Sequence, residues 1–154
     1  MLRKIFVLSF ILLMGSLAGC QRNPYDTVMV TGIVRVDGEP MEKVIVSFQP
    51  ANSNGIGAVG MTDVHGNFVL TTNNAPFGSG AIPNTYHVTF AKSVPSEEYR
   101  AETPEEYRQK FGDLEIPLVF IVPKKYGNIK TSGIDPVTVE KRRKNFFEFD
   151  LATK

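Results

Sequence analysis

Few residues in this 154-residue chain have the type and spacing to carry out chemistry. There is one cysteine, Cys20, and there are two histidines, His65 and His87. A zinc peptidase needs clustered His and Glu ligands, and a single thiol with no neighbouring ligand builds neither a metal site nor a redox site. Serine chemistry needs a serine beside a histidine, and the chain has no G-x-S-x-G elbow. Asp63, His65 and Asn67 flank Gly66 in the manner of a metal loop. A calcium loop of the EF-hand type, however, requires more oxygen ligands at regular spacing and a downstream glutamate. A tight turn accounts for the same residues, with Asp63 accepting from backbone amides and Gly66 in the left-handed conformation. His87 has the solvent-side parity of its strand. These residues predict no enzyme, no bound metal and no cofactor.

Charge narrows the partners. The chain has 17 basic and 16 acidic residues, with no basic stripe of the kind that a nucleic-acid surface requires. Two short basic runs, KKYGNIK at 124–130 and EKRRKN at 140–145, offer contact to anionic lipid or glycan phosphate. The same charges also discourage pairing between strand edges.

The N-terminus stands apart from the rest. Arg3 and Lys4 precede an apolar run from Ile5 to Leu13, broken only by Ser9. That run has the length of a signal-peptide h-region and falls short of the ~20 apolar residues of a membrane span. Small residues follow, and Leu17-Ala18-Gly19-Cys20 resembles the lipobox of bacterial lipoproteins. The resemblance implies cleavage between Gly19 and Cys20, a diacylglyceryl thioether on Cys20, and a further acyl chain such as palmitate on its amine. One acyl chain holds weakly, at about 0.8 kcal/mol per buried methylene, whereas two or three give a stable anchor. Gln21 in the next position implies outer-membrane localisation, on the periplasmic or surface face. The expected organisation is a lipoprotein signal peptide at 1–19, a lipidated cysteine and tether at 20–27, and a domain at 28–154. Without residues 1–19 the chain keeps 15 basic and 16 acidic residues. With no second cysteine it has no disulfide, and its core alone must hold it.

Within 28–154 a period of two dominates. Val28, Val30, Val34 and Val36 share one face, opposite Met29, Thr31, Ile33 and Arg35. Asp37-Gly38 signals a turn. Val44, Val46 and Phe48 form the next apolar row. A hairpin is expected with a strand to about Thr62, a turn over 63–66, and a strand carrying Phe68 and Leu70. Pro83-Asn84 suits the centre of a type II turn, with Asn84 at positive φ. Tyr86, Val88 and Phe90 share a face of the following strand, and Phe147, Phe149 and Leu151 share a face of the last. Between these lies one helical passage: Thr103 as N-cap, Pro104 at the first position, Glu106 completing a capping box and Gly112 ending the helix. EEYR occurs twice, at 97–100 and 105–108. The passage predicts a charged surface insertion at 96–112, after which LEIPLVFIVPKKYG returns toward the sheet. About seven short strands predict an all-β fold, a single antiparallel β-sandwich with a short helical insertion.

Several segments together resemble the bacterial carboxypeptidase regulatory-like, or transthyretin-like (prealbumin-like), domain family. They are VTGIVRVDGEPMEKVIVSFQP, GMTDVHGNFVLTT, GAIPNTYHVTFAK, PKKYGNIKTSG and NFFEFDL. The clearest marks are Gly32 with Asp37-Gly38, the Thr62-Asp63-x-x-Gly66-x-Phe68 hairpin, and Pro83-x-x-Tyr86. The resemblance implies an exported lipoprotein domain of a kind that usually accompanies a peptidase and does not itself cleave peptides. Transthyretin-like hydrolases use several histidines and a C-terminal Tyr-Arg-Gly-Ser signature, whereas this chain ends Asp150-Leu151-Ala152-Thr153-Lys154. The expected function is a lipid-anchored envelope binding or structural module that contacts another envelope protein. A carbohydrate-binding module is the alternative, with Tyr99, Tyr107 and Tyr126 exposed for stacking on sugars; a hydrolase is the more remote one. A Cys20→Ala variant is expected to leave the membrane and partition into the aqueous phase of a detergent separation. If it stayed membrane-bound under gentle extraction, the anchor assignment would fail.

Overall fold

The computed structural model describes residues 23–99, 101–112 and 114–154. Cys20 and Gly19 lie outside them.

The alternating rows of the sequence fold into two packed sheets. Strand β1 (Val30–Val36) is the centre of the first. It pairs in parallel with β11 (Asn145–Leu151) on one side, and antiparallel with β2 (Glu39–Pro40) and β5 (Asn67–Val69) on the other. The second sheet has the order β10-β7-β3-β4-β6 and is antiparallel throughout. Its strands are β3 (Ile45–Pro50), β4 (Ala58–Met61), β6 (Thr71–Thr72), β7 (Asn84–Ala91) and β10 (Val137–Val139). The result is an all-β sandwich. Its parallel β1–β11 pair, which joins the two ends of the domain, departs from the antiparallel pattern expected throughout, because partners so distant in sequence leave no local signal.

Burial follows the predicted parity. Val30, Val34 and Val36 of β1, Phe68 and Leu70, and Phe149 and Leu151 face Val46, Phe48, Tyr86, Val88 and Phe90 across the interface. Phe48 is the hub, with ring centroids 5.7 Å from Tyr86, 5.8 Å from Phe147 and 6.4 Å from Phe68. Tilted ring packing of this kind contributes beyond area burial. The Tyr86 hydroxyl donates to the Ile82 carbonyl at 2.7 Å, so the buried ring leaves no polar atom without a partner.

Turn chemistry sets the corners. Asp37 and Gly38 both take positive φ, 51° and 85°, in the two-residue link between β1 and β2, the geometry that the right-handed strand twist favours. Asn84 does not take the positive φ expected of it. It opens β7, and its Oδ1 accepts from the Thr85 amide at 2.8 Å. The left-handed positions in that region are Asn74, Gly78 and Gly80, at φ 62°, 72° and 81°, in the loop after β6.

Register also sorts the connections between two ends of the sandwich. Val30 pairs with Asn145, Val28 bridges Ala81, and Val139 pairs with Asn84. The entering chain, the 73–83 loop and the 140–144 loop therefore share one end. The Asp37-Gly38 turn, the 63–66 turn and the exit from β7 at Ala91 share the other.

Gly32 is closely confined in the core. A Cβ there would lie 2.2 Å from the Phe147 carbonyl oxygen and 2.5 Å from the Phe68 ring. Gly32→Ala is expected to destabilise the domain by about 2 kcal/mol or more, as overpacked cores do. A urea midpoint unchanged from wild type would show that the ring can shift freely.

Candidate functional site

The chain leaves the sandwich between β7 and the segment at Ile121. The Lys92 carbonyl accepts from both Ile121 N (2.9 Å) and Val122 N (3.2 Å), closing the base of an excursion. Within it, β8 (Ser93–Pro95) pairs only with β9 (Leu118–Phe120), in a two-stranded ribbon separate from both sheets. This corrects the expected return of LEIPLVFIVPKKYG toward the sheet. Pro117 and Pro123 bracket a strand of three residues, which finds its partner inside the excursion. The insertion thus runs from 93 to 120, beyond the 96–112 expected from the charged passage alone.

At the tip, a 3₁₀ turn at Glu97–Tyr99 leads to helix α1 (Pro104–Phe111). Thr103 caps it as predicted, its hydroxyl accepting from Glu106 N at 3.1 Å, and Gly112 ends it at φ 63°. The reciprocal half of the capping box is displaced by one residue: the Glu106 carboxylate accepts from Glu102 N, at 2.8 Å. That carboxylate also pairs with Lys110 one turn on. No residue of α1 is buried.

The three tyrosines divide. Tyr99 and Tyr107 pack on either side of Phe111, with centroids 5.2 Å and 5.1 Å away, and the Tyr107 hydroxyl donates to the Leu114 carbonyl. They form the small core of the arm and stay half-exposed. With Pro95, Glu102, Arg108 and Ile116 they line a hollow of about 430 Å³. Tyr126 is different. It is 6% exposed, and its hydroxyl both donates to the Ala152 carbonyl and accepts from the Ala152 amide. It pins the C-terminal tail to the sandwich, so the expectation of an exposed Tyr126 is corrected. A tyrosine in a basic loop reads as exposed until the fold brings a backbone partner to its hydroxyl.

Sequence reasoning missed the apolar side chains of the arm. Val94, Ile116, Leu118, Val119 and Phe120 are all exposed, and Leu114 is 61% exposed. In the ribbon register Val94 opposes Val119 while Leu118 and Phe120 fall on the alternate parity, so both faces of the ribbon are apolar. The run LVF was visible in the sequence, but its parity says nothing when no sheet covers either face. A second apolar surface lies on the sandwich itself, a groove of about 680 Å³ lined by Ile45, Val59, Met61, Val69 and Phe77.

The remaining sequence candidates are structural. Asp63 Oδ1 accepts from His65 N at 2.8 Å and Asn67 N at 2.9 Å, and Gly66 takes φ 76°. This is the tight turn expected in place of a metal loop, but not the expected hairpin: it carries the chain from β4 in the second sheet to β5 in the first, and the two strands do not pair. The Asn67 amide, with the His65 amide adding to it, holds the Asp63 carboxyl below its ordinary value. His65 lies in that turn and His87 on β7 opposite Gln49, so the two do not meet. Among the described residues no group of three His, Cys, Asp or Glu comes together around a metal-sized space, and no helix is long and apolar enough to cross a membrane. Asn145 uses its side chain to close the 140–145 loop, accepting from Glu140 N and donating to the Glu140 and Arg143 carbonyls.

Fold and site together define a β-sandwich bearing an apolar-ribbon arm. No family model matches this chain, nor does any curated protein or solved structure.

The Asp63 geometry fixes a sign for acid stability. Because the folded carboxyl titrates below the unfolded value of ~3.9, its contribution is present above that pH and is lost as pH falls through the folded value. Asp37 acts in the same sense, its carboxyl lowered by the Thr153 hydroxyl and then by the Thr153 amide. Urea midpoints are expected to fall below about pH 4. Asp63→Asn, which keeps an acceptor but does not titrate, is expected to fall less steeply; identical slopes would remove the carboxylate from the account.

Proposed function

We propose that this protein is a lipid-anchored, non-catalytic module of the bacterial envelope that presents its 93–120 arm to another envelope protein. One observation carries the reading. The arm leaves the sandwich at the end of β7, opposite the end where the chain enters from Cys20, and both faces of its ribbon are apolar and exposed. An isolated two-stranded ribbon is marginal in water, and exposed apolar surface rimmed by charge marks interaction sites. Each of its strands also keeps an unpaired edge to which an extended segment could add. The lipobox resemblance at Leu17–Cys20 and the regulatory-like domain resemblance across 28–151 support the anchored, accessory role, and outer-membrane placement follows from Gln21.

A glycan is the second reading. Tyr99 and Tyr107 wall the hollow at the arm tip, with Glu102 and Arg108 beside them, a combination of aromatic and polar groups that suits sugars. The two readings separate by position. A photo-crosslinking residue at Val119 is expected to yield one discrete protein adduct in intact cells, while the same residue at Val59 on the sandwich groove does not. Equal or absent adducts at the two positions would overturn the protein-partner reading. Retention on envelope glycan that is lost in Tyr107→Ala would support the second.

A further inference from the structure

The end of the sandwich opposite the arm has a composition of its own. Loop 140–144 places Lys141, Arg142, Arg143 and Lys144 together, all exposed. Lys141 pairs with Asp26 in the entering chain, and Arg143 pairs with Glu140 at 3.2 Å. Arg142 and Lys144 pair with no acid among the described residues, and Lys144 Nζ lies 5.4 Å from the centre of the Phe146 ring. The loop and its neighbour Asp26 thus keep a net charge of +2, four cations against two carboxylates. The helical passage 97–112 has the opposite balance, with Glu97, Glu98, Glu102, Glu105 and Glu106 against Arg100, Arg108 and Lys110.

Two large apolar side chains stand in water at the same end of the sandwich as the basic loop. Phe77, in the loop after β6, is 93% exposed, and Met29 is 70% exposed next to the Val28–Ala81 bridge. Phe77 borders the groove that Ile45, Val59, Met61 and Val69 line, yet its ring lies almost wholly in water. Cys20 stands three residues before Asn23, a separation of at most about 11 Å.

We infer that this end of the domain is a membrane-docking surface. Loop 140–144 lies against the anionic headgroups of a bilayer, and Phe77 enters the interface. The inference rests on the lipid attachment proposed at Cys20. Three features agree on the bilayer as occupant: the short reach from the acylated residue, the basic charge that anionic lipid attracts, and an apolar side chain at the same end that suits the interfacial layer. Docking at this end points the acidic arm away from the surface, toward a partner.

The chain has no tryptophan, which permits a direct test. Full-length acylated protein carrying Phe77→Trp is reconstituted into phosphatidylcholine vesicles with and without phosphatidylglycerol, and quenching by bromine-labelled lipid is measured. Val64→Trp, at the 63–66 turn of the opposite end, serves as the control reporter. The Phe77→Trp reporter is expected to be quenched at least about twofold more than the control in anionic vesicles. That excess should disappear in about 1 M salt, where the Debye length is about 3 Å, and in the pair Arg142→Glu with Lys144→Glu. If the protein floats with the vesicles but the two reporters are quenched equally, docking is overturned and the anchor stands. An excess that survives both high salt and the charge reversals would overturn the headgroup contact. If the protein does not float, the anchor reading fails and the docking inference falls with it.

Discussion

The ring of Phe68 fills the space that a side chain at Gly32 would occupy, 2.5 Å from where its Cβ would stand. This close approach sets the depth at which β5 meets β1. Through the ring contacts of Phe68 with Phe48 and Phe149 it also sets how the two sheets interlock. The domain has no disulfide to limit its unfolded chain, so this aromatic interior carries the fold. Phe149 reaches Phe90 at 4.9 Å and Phe147 reaches Phe48, bringing the last strand into the same cluster as β3 and β7 of the facing sheet. The parallel pairing of β1 with β11 follows from this: the last strand is held by its side chains as well as by its ladder.

A second set of bonds secures the margins. Thr62 is buried where the chain passes from β4 to β5, one in each sheet. Its hydroxyl accepts from Val44 N at 2.8 Å and donates to the Met41 carbonyl at 2.7 Å. At the C-terminus, Asp37 accepts from both the amide and the hydroxyl of Thr153, and Tyr126 holds Ala152. The chain from Asp26 onward and the C-terminal tail are therefore both tied to the sandwich. The entering chain is held through Asp26 and Val28, and the tail through Asp37 and Tyr126. The arm is tied at its base, by the Lys92 carbonyl and by Lys124, whose Nζ lies 4.3 Å from the centre of the Phe120 ring. Its small Tyr99–Phe111–Tyr107 core holds it internally and leaves the outer apolar side chains free for contact.

Much of the sandwich was legible because half-buried strands write their burial into alternate positions. The Val30–Val36 row, Val46 with Phe48, Tyr86 with Val88 and Phe90, and Phe149 with Leu151 all face inward as their parity requires. The Asp63 turn and the Thr103–Gly112 helix were legible for a related reason, since side chain and backbone satisfy each other within a few residues. Local chemistry failed where a distant group decided the outcome. Tyr126 is buried because Ala152 reaches its hydroxyl. Asn84 extends into β7 because Val139 pairs with it. Leu118 to Phe120 form a ribbon because Val94 lies opposite.

By itself, the sequence determined the alternation that makes two sheets, the turns that separate them and the capped helix, and it carries the lipobox resemblance at Cys20. All of these are set by residues within a few positions of one another. Only the tertiary structure decided which loops share an end of the sandwich. It gathered the entering chain, Phe77 and the 140–144 loop at one end and sent the arm out from the other. That arrangement depends on strand register between segments up to a hundred or so residues apart, which closes only when the aromatic core packs.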